Sequence, residues 1–127
     1  MEKELTRAEE QIMDYLWDLE EAYVKDIIAK MDPPKPAYTT ISTIIRILEK
    51  KGFVGHRTFG NTHLYFPLIS KEDYSGYCTK NLVSRYFSNS LGQFVSAFAS
   101  SNDLSIGELE EIQRLINEEI EQKKNRS

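Results

Sequence analysis

Four hydroxyl residues, Thr39, Thr40, Ser42 and Thr43, stand within five positions, and Arg46 follows one helical turn later. Hydroxyls donate to and accept from phosphate oxygens and base edges, and threonine methyls pack on thymine methyls. Arginine grips a guanine edge bidentately or clamps a phosphate. Hydroxyl and β-branched side chains are poor helix formers, so helix stability alone does not account for such a cluster. The pattern reads as a nucleic-acid contact face, extended one turn further by Lys50. A second group, Arg57, Asn61, Thr62 and His63, surrounds a turn and can reach phosphates or a minor groove. Other chemistry has no carrier. His56 and His63 have no sequence-near acid or cysteine and make a poor metal site. There is no glycine-rich phosphate loop, no His-Glu-x-x-His and no nucleophile with a recognisable base. No enzyme activity, cofactor or metal is expected.

The charge distribution supports this despite a net charge of −4. Between Ala37 and Leu68 the cations are Arg46, Lys50, Lys51 and Arg57, and the one anion is Glu49, a local net of +3. An acidic protein with one basic edge can still bind DNA, because affinity depends on the charge that faces the phosphates. At 127 residues, 40% hydrophobic and 28% charged, the chain has the composition of a folded protein. No apolar run is long enough for a membrane span. The charged start, Met1 to Glu10, does not read as a secretory signal, so a cytoplasmic location is expected. The lone Cys78 allows no internal disulfide and reads as a small apolar residue.

Elements that could position these residues follow from periodicity. Thr6 and Glu9 form a capping box before a first helix with Ile12, Met13, Leu16, Trp17 and Leu19 on one face. A short second helix fits Val24 to Met31, and Pro33, Pro34 and Pro36 stop it. A third helix, about Ala37 to Lys51, carries Ile41, Ile44, Ile45 and Leu48 opposite the hydroxyl cluster. Gly52 can close it in a left-handed conformation. Residues 53–59 and 62–67 then alternate as strands around a Gly60-Asn61 turn. Three helices and a hairpin form a winged helix-turn-helix over residues 1–69.

Residues 70–127 read as a helical dimerisation region. A long helix is expected from Ser70 to about Ser100, with a bend or break at Gly92. A last helix is capped by Ser105 and Glu108 and ends in a frayed basic terminus. Tyr74, Tyr77, Leu82, Tyr86, Phe87 and Leu91 recur near helical spacing, as do Phe94, Val95 and Phe98. Leu109, Ile112 and Ile116 stripe the last helix, as do Leu115 and Ile120. Two such helices cannot cover each other completely, and a two-fold dimer is the simplest way to bury them. The expected fold is mainly α with a small β-hairpin wing.

With these elements in place, the sequence resembles the penicillinase-repressor (BlaI/MecI/CopY) family of bacterial transcriptional regulators. The resemblance runs through residues 5–13 with Leu16-Trp17, residues 24–27, Tyr38 to Thr43 and Arg46 to Gly52. It continues through Tyr65-Phe66-Pro67, Asp103-Leu104-Ser105 and residues 108–112. It implies a homodimer that binds a dyad operator in double-stranded DNA and represses resistance-type genes. It also implies a membrane sensor-protease that cuts the repressor in its dimerisation region. By position it makes Thr39, Thr40, Thr43 and Arg46 base readers and Arg57 a wing contact. Two departures stand out. Where the family often carries an Asn-Phe bond, this chain has Ala97-Phe98 as its candidate cleavage region. The cysteine-rich tail of the copper-responsive branch is absent, which rejects metal sensing. Two alternatives remain: release by a small effector bound at the dimer interface, and a winged helix used only for protein contacts.

Overall fold

The structure, a computed structural model, describes residues 4–127. The element order is α1 (Arg7–Leu19), α2 (Val24–Ala29), α3 (Tyr38–Lys50), β1 (Val54–Phe59), β2 (Thr62–Pro67), α4 (Lys71–Tyr86), α5 (Leu91–Ala99) and α6 (Ile106–Arg126). The chain packs as two compact units, one ending at Cys78 and one covering Thr79–Ser127.

The first unit is the three-helix-and-hairpin arrangement of a winged helix. The capping box that opens α1 is present: the Thr6 hydroxyl accepts from the Glu9 amide, and Glu9 accepts from the Thr6 amide. Behind it Ile12, Met13 and Leu16 are buried. Helix α2 is two residues shorter than its apolar spacing suggests. The Lys35 ammonium takes over the carbonyls at its end, donating to Ile28, Ala29 and Met31 at 2.7–3.2 Å. These are groups that a continuing helix would have satisfied by itself. Helix α3 buries Ile41, Ile45 and Leu48, while Ile44 is half-buried. Gly52 follows at φ 88°, as the left-handed closure requires.

The hairpin is antiparallel, with Val54 opposite Pro67 and Phe59 opposite Thr62. In its two-residue turn only Gly60 adopts positive φ, at 61°, and Asn61 does not. A bridge between Ala22 and Tyr65, with both amides at 2.9 Å from the opposing carbonyls, ties the α1–α2 loop to β2. The core joins these pieces through Phe53, Val54 and Tyr65 against the buried faces of α1, α2 and α3.

The boundary between the units falls later than residue 69, because the start of α4 belongs to the first core. Tyr74 is buried and packs near Trp17 and edge-on to Phe53 at 5.6 Å. Its hydroxyl accepts from the Leu5 amide at 2.9 Å and donates to Glu10 at 3.3 Å. Tyr77 and Cys78 pack against the same core. Burial pushes the Tyr74 hydroxyl far above its usual range, so it stays a neutral donor. Trp17 supports the same junction by donating to the Ile69 carbonyl at 2.9 Å.

In the second unit the helix break lies at Phe87–Ser90 rather than at Gly92. Ser88 and Asn89 take positive φ there, and the Ser90 hydroxyl caps α5 by accepting from the Gln93 amide. Short polar side chains that bond to nearby backbone supply the stop that a glycine was expected to give. Gly92 sits inside α5. The capping box of Ser105 and Glu108 opens α6. That helix continues to Arg126, so the basic terminus expected to fray is helical, with Arg126 within 3.6 Å of Glu119.

Two predictions follow from the first unit. Tyr74→Phe leaves the buried Leu5 amide without its acceptor. It should cost about 1–3 kcal/mol in urea unfolding, with an unchanged slope. The second concerns Glu9, whose carboxylate is buried and meets the Lys51 ammonium at 2.7 Å. Burial raises the Glu9 pKa, but Lys51 and the Thr6 amide outweigh it and hold the carboxyl below its ordinary value. Its contribution is therefore present above the ordinary carboxylate range and is lost as pH falls through the depressed folded-state value. Glu9→Gln should lower stability at neutral pH and flatten the acid limb. Parallel stability–pH curves for the two proteins would contradict that role.

Candidate nucleic-acid interface

Helix α3 is set by its buried stripe, and its polar residues divide accordingly. At about 100° per residue, Thr39, Thr43, Arg46 and Lys50 fall on one line opposite Ile41, Ile45 and Leu48. All four are exposed. The Thr43 hydroxyl donates back to the Thr39 carbonyl at 2.8 Å, which uses its proton and leaves both oxygen lone pairs to accept. Arg46 makes one long bond, from Nε to the Ser42 carbonyl at 3.4 Å. Thr40 is exposed on one flank, beside Ile47. Ser42 differs. It is half-buried on the opposite flank and faces a cleft toward the hairpin. Ala37, at the N-cap of α3, supplies no side-chain cap, so the first amides of the helix are open to an anion.

The hairpin also divides its residues. His56, Thr58, His63 and Tyr65 share one face, while Arg57 and Phe66 share the other. On the first face His56 and His63 stack with centroids 4.3 Å apart. His56 Nδ1 meets the Glu49 carboxylate, and His63 Nδ1 lies 3.1 Å from the Thr58 hydroxyl. An acid that the sequence does not place near the histidines is thus supplied by α3. Even so, no group of three or more metal-ligating side chains forms among the described residues. On the second face Arg57 is engaged, with the Glu21 carboxylate at 2.6 Å and the Phe66 ring beneath its guanidinium at 5.2 Å. At the tip the Thr62 hydroxyl donates to the Phe59 carbonyl.

The structure therefore brings His63, Asn61 and Thr62 together with Ser42 around one cleft of about 420 Å3. It does not bring Arg57 there. Three further lining residues, Tyr23, Lys25 and Tyr38, are not among the candidate site residues of the sequence. Lys25 stands in the first turn of α2, next to the apolar positions that define that helix, and pattern alone gives it no special role. Tyr65 closes the cleft. Burial, with the Glu49 carboxylate nearby, pushes its phenol above the usual range.

The basic window also changes in three dimensions. Lys51 is paired with Glu9 and Arg57 with Glu21. Arg46 and Lys50 form no ion pair among the described residues. The accessible positive charge on this side of the unit is thus Arg46, Lys50 and, across the cleft, Lys25.

In the second unit, apolar side chains remain uncovered. Leu82, Tyr86, Leu91, Val95 and Phe98 are exposed on α4 and α5. Leu115, Ile116 and Ile120 are exposed on α6. On α5, Phe94 lies edge-on to Phe87 at 5.4 Å and is stacked on Phe98 at 6.2 Å. Leu109 and Ile112 are half-buried and line an apolar groove of about 500 Å3 with Ala99 and Ile116. Ala97 and Phe98, the candidate cleavage region, lie within the last turns of α5.

The family model of the penicillinase repressor matches residues 5–118. The methicillin resistance regulatory protein MecI of Staphylococcus aureus is 28% identical over 115 residues, covering 90% of this chain and 94% of that protein. The penicillinase repressor of Bacillus licheniformis is 25% identical over 122 residues, covering 95% of each. The solution structure of the DNA-binding domain of the repressor BlaI is 27% identical. It covers 58% of this chain and 94% of that domain, with a TM-score of 0.49. The chain belongs to the penicillinase repressor family.

Proposed function

We propose that the chain is a dimeric transcriptional repressor that reads a two-fold operator with the outer stripe of α3. The observation that carries this reading is the line of Thr39, Thr43, Arg46 and Lys50, held outward by the buried stripe behind it. Arg46 is the principal base reader, with the threonines packing on methyls and phosphates. Thr40 flanks them. Ser42 turns toward the hairpin, where Asn61, Thr62 and His63 approach the DNA backbone as the wing. Arg57 contributes less to binding, because Glu21 already holds its guanidinium.

The uncovered apolar residues of α5 and α6 support a homodimer in which each tail covers the other. Phe87, Phe94, Leu109 and Ile112 extend the same faces. Tyr74 and Tyr77 support the dimer only indirectly, since they pack on the first core. Linking two half-site contacts through the tails raises affinity by roughly 100-fold to 10,000-fold, so any loss of the dimer releases the operator. Cleavage near Ala97-Phe98 by a sensor-protease is one route to that loss.

A gel shift and footprint on DNA upstream of the chain's own gene, with a salt titration, tests this directly. With Lys50 and Lys25 available for phosphates on each protomer, roughly four phosphates are neutralised per dimer. The slope of log affinity against log salt should then be about −4. Arg46→Ala should weaken operator binding by about 1–3 kcal/mol per half-site while leaving the dimer intact. Arg57→Ala should change the salt slope little. Unchanged affinity in the Arg46 variant would remove α3's outer stripe from the interface. A separate prediction concerns the tail. Ile116→Glu should convert the dimer to a monomer in light scattering, with folding of the first unit retained. Operator affinity should then fall by at least about 100-fold.

A further inference from the structure

We propose that the cleft between α3 and the hairpin is a binding site for a small aromatic carboxylate, whose presence there excludes DNA. The exclusion rests on the operator-binding reading above, and the site itself does not.

The cleft's volume, about 420 Å3, is that of a small-molecule site. Its walls include three phenol rings from three different segments: Tyr23 before α2, Tyr38 in the first turn of α3 and Tyr65 on β2. A flat ring finds offset-stacking or edge-on partners among them. The polar groups suit an anion. Lys25 is the cation of the cleft, and no aspartate or glutamate lines it. Glu49, the carboxylate whose charge acts on Tyr65, is engaged with His56. Among the described residues, the side chains of Lys25, Tyr38, Ser42 and Asn61 have no hydrogen-bond or ion-pair partner. They form an ammonium, a phenol, a hydroxyl and an amide around one space.

A carboxylate there receives charge-assisted bonds from the ammonium and neutral donors beside it. A bare phosphate would answer Lys25 but leave the phenol faces unused. A neutral ring would stack and leave the ammonium without an anion. The combination selects a molecule with both parts. Its ring would fill the space between Ser42 and the wing tip, and its carboxylate would take the ammonium that a DNA phosphate otherwise meets. Occupation therefore closes the wing side of α3 to the duplex.

The probe is 4-hydroxybenzoate, titrated into the full chain by calorimetry with chemical-shift mapping; 4-hydroxybenzamide is the uncharged control. Saturable binding of the acid is expected, about tenfold tighter than the amide. Shifts should be centred on Tyr38, Ser42 and His63. Lys25→Met and Tyr38→Ala should each weaken it about tenfold, with unchanged thermal unfolding in the absence of the acid as the check on folding. On operator DNA, saturating acid should raise the protein concentration needed for half-binding. No saturation up to about 10 mM, equal affinity for the amide, or undiminished binding by either variant would overturn the site. Acid binding with unchanged operator affinity would overturn the exclusion. A chain that binds no DNA at low salt would overturn the exclusion together with the operator reading, while the ligand titration still decides the site.

Discussion

The rotational setting of α3 governs the rest of the first unit. Ile41, Ile45 and Leu48 recur at helical spacing and are buried against α1, α2 and the hairpin. Full burial of each such side chain stabilises by about 1.5–3 kcal/mol, so turning the helix by one residue would expose several kcal/mol of apolar surface. That penalty fixes every other face. Thr39, Thr43, Arg46 and Lys50 have nowhere to point but outward, and Tyr38, Ser42 and Glu49 lie toward the wing. The hairpin is locked to the same core through Phe53, Val54 and Tyr65, so the distance between helix and wing is a property of packing rather than of the turn.

A winged helix of this size has little core to spare, because small domains bury a smaller fraction of their surface. Residues 71–78 make up part of the deficit. Tyr74 brings a large ring into contact with Trp17 and Phe53 and satisfies the otherwise orphaned Leu5 amide. The second unit has no comparable internal core. Its helices are well capped and laced by surface ion pairs, such as Arg114 with Glu111 and Glu118. Such pairs add little stability, and the apolar side chains of α5 and α6 remain largely uncovered within one chain.

Much of this was legible in the sequence, because local rules and the final fold agree. Capping boxes at Thr6 and Ser105, the apolar stripes of α1 and α3, the Gly52 closure and the hairpin turn all follow from nearest-neighbour chemistry. What could not be read depends on contacts distant in sequence. In the sequence Tyr74 is one of several tail aromatics, and only its neighbours 64 and 69 residues away distinguish it. Propensity points to Gly92 for the break before α5, but Ser88 to Ser90 provide a competing backbone geometry. At the candidate interface the sequence shows the hydroxyl cluster as a unit. Which members face outward and which face the cleft follows only once the buried stripe is placed. Lys25 and Tyr23 join the cleft from another segment, and periodicity does not point to them.

The pairing of Lys51 with Glu9 and Arg57 with Glu21 bears on how a chain of this kind would find its target. Attraction to any duplex scales with the number of phosphates a protein can neutralise, and a genome offers a vast excess of wrong sites. A surface that cancels part of its own basic edge binds random sequence weakly and leaves it quickly. It then depends on the few side chains that meet base edges for its residence time. Intramolecular carboxylates thereby act on the search as much as on the fold, trading capture of any DNA for discrimination among sites.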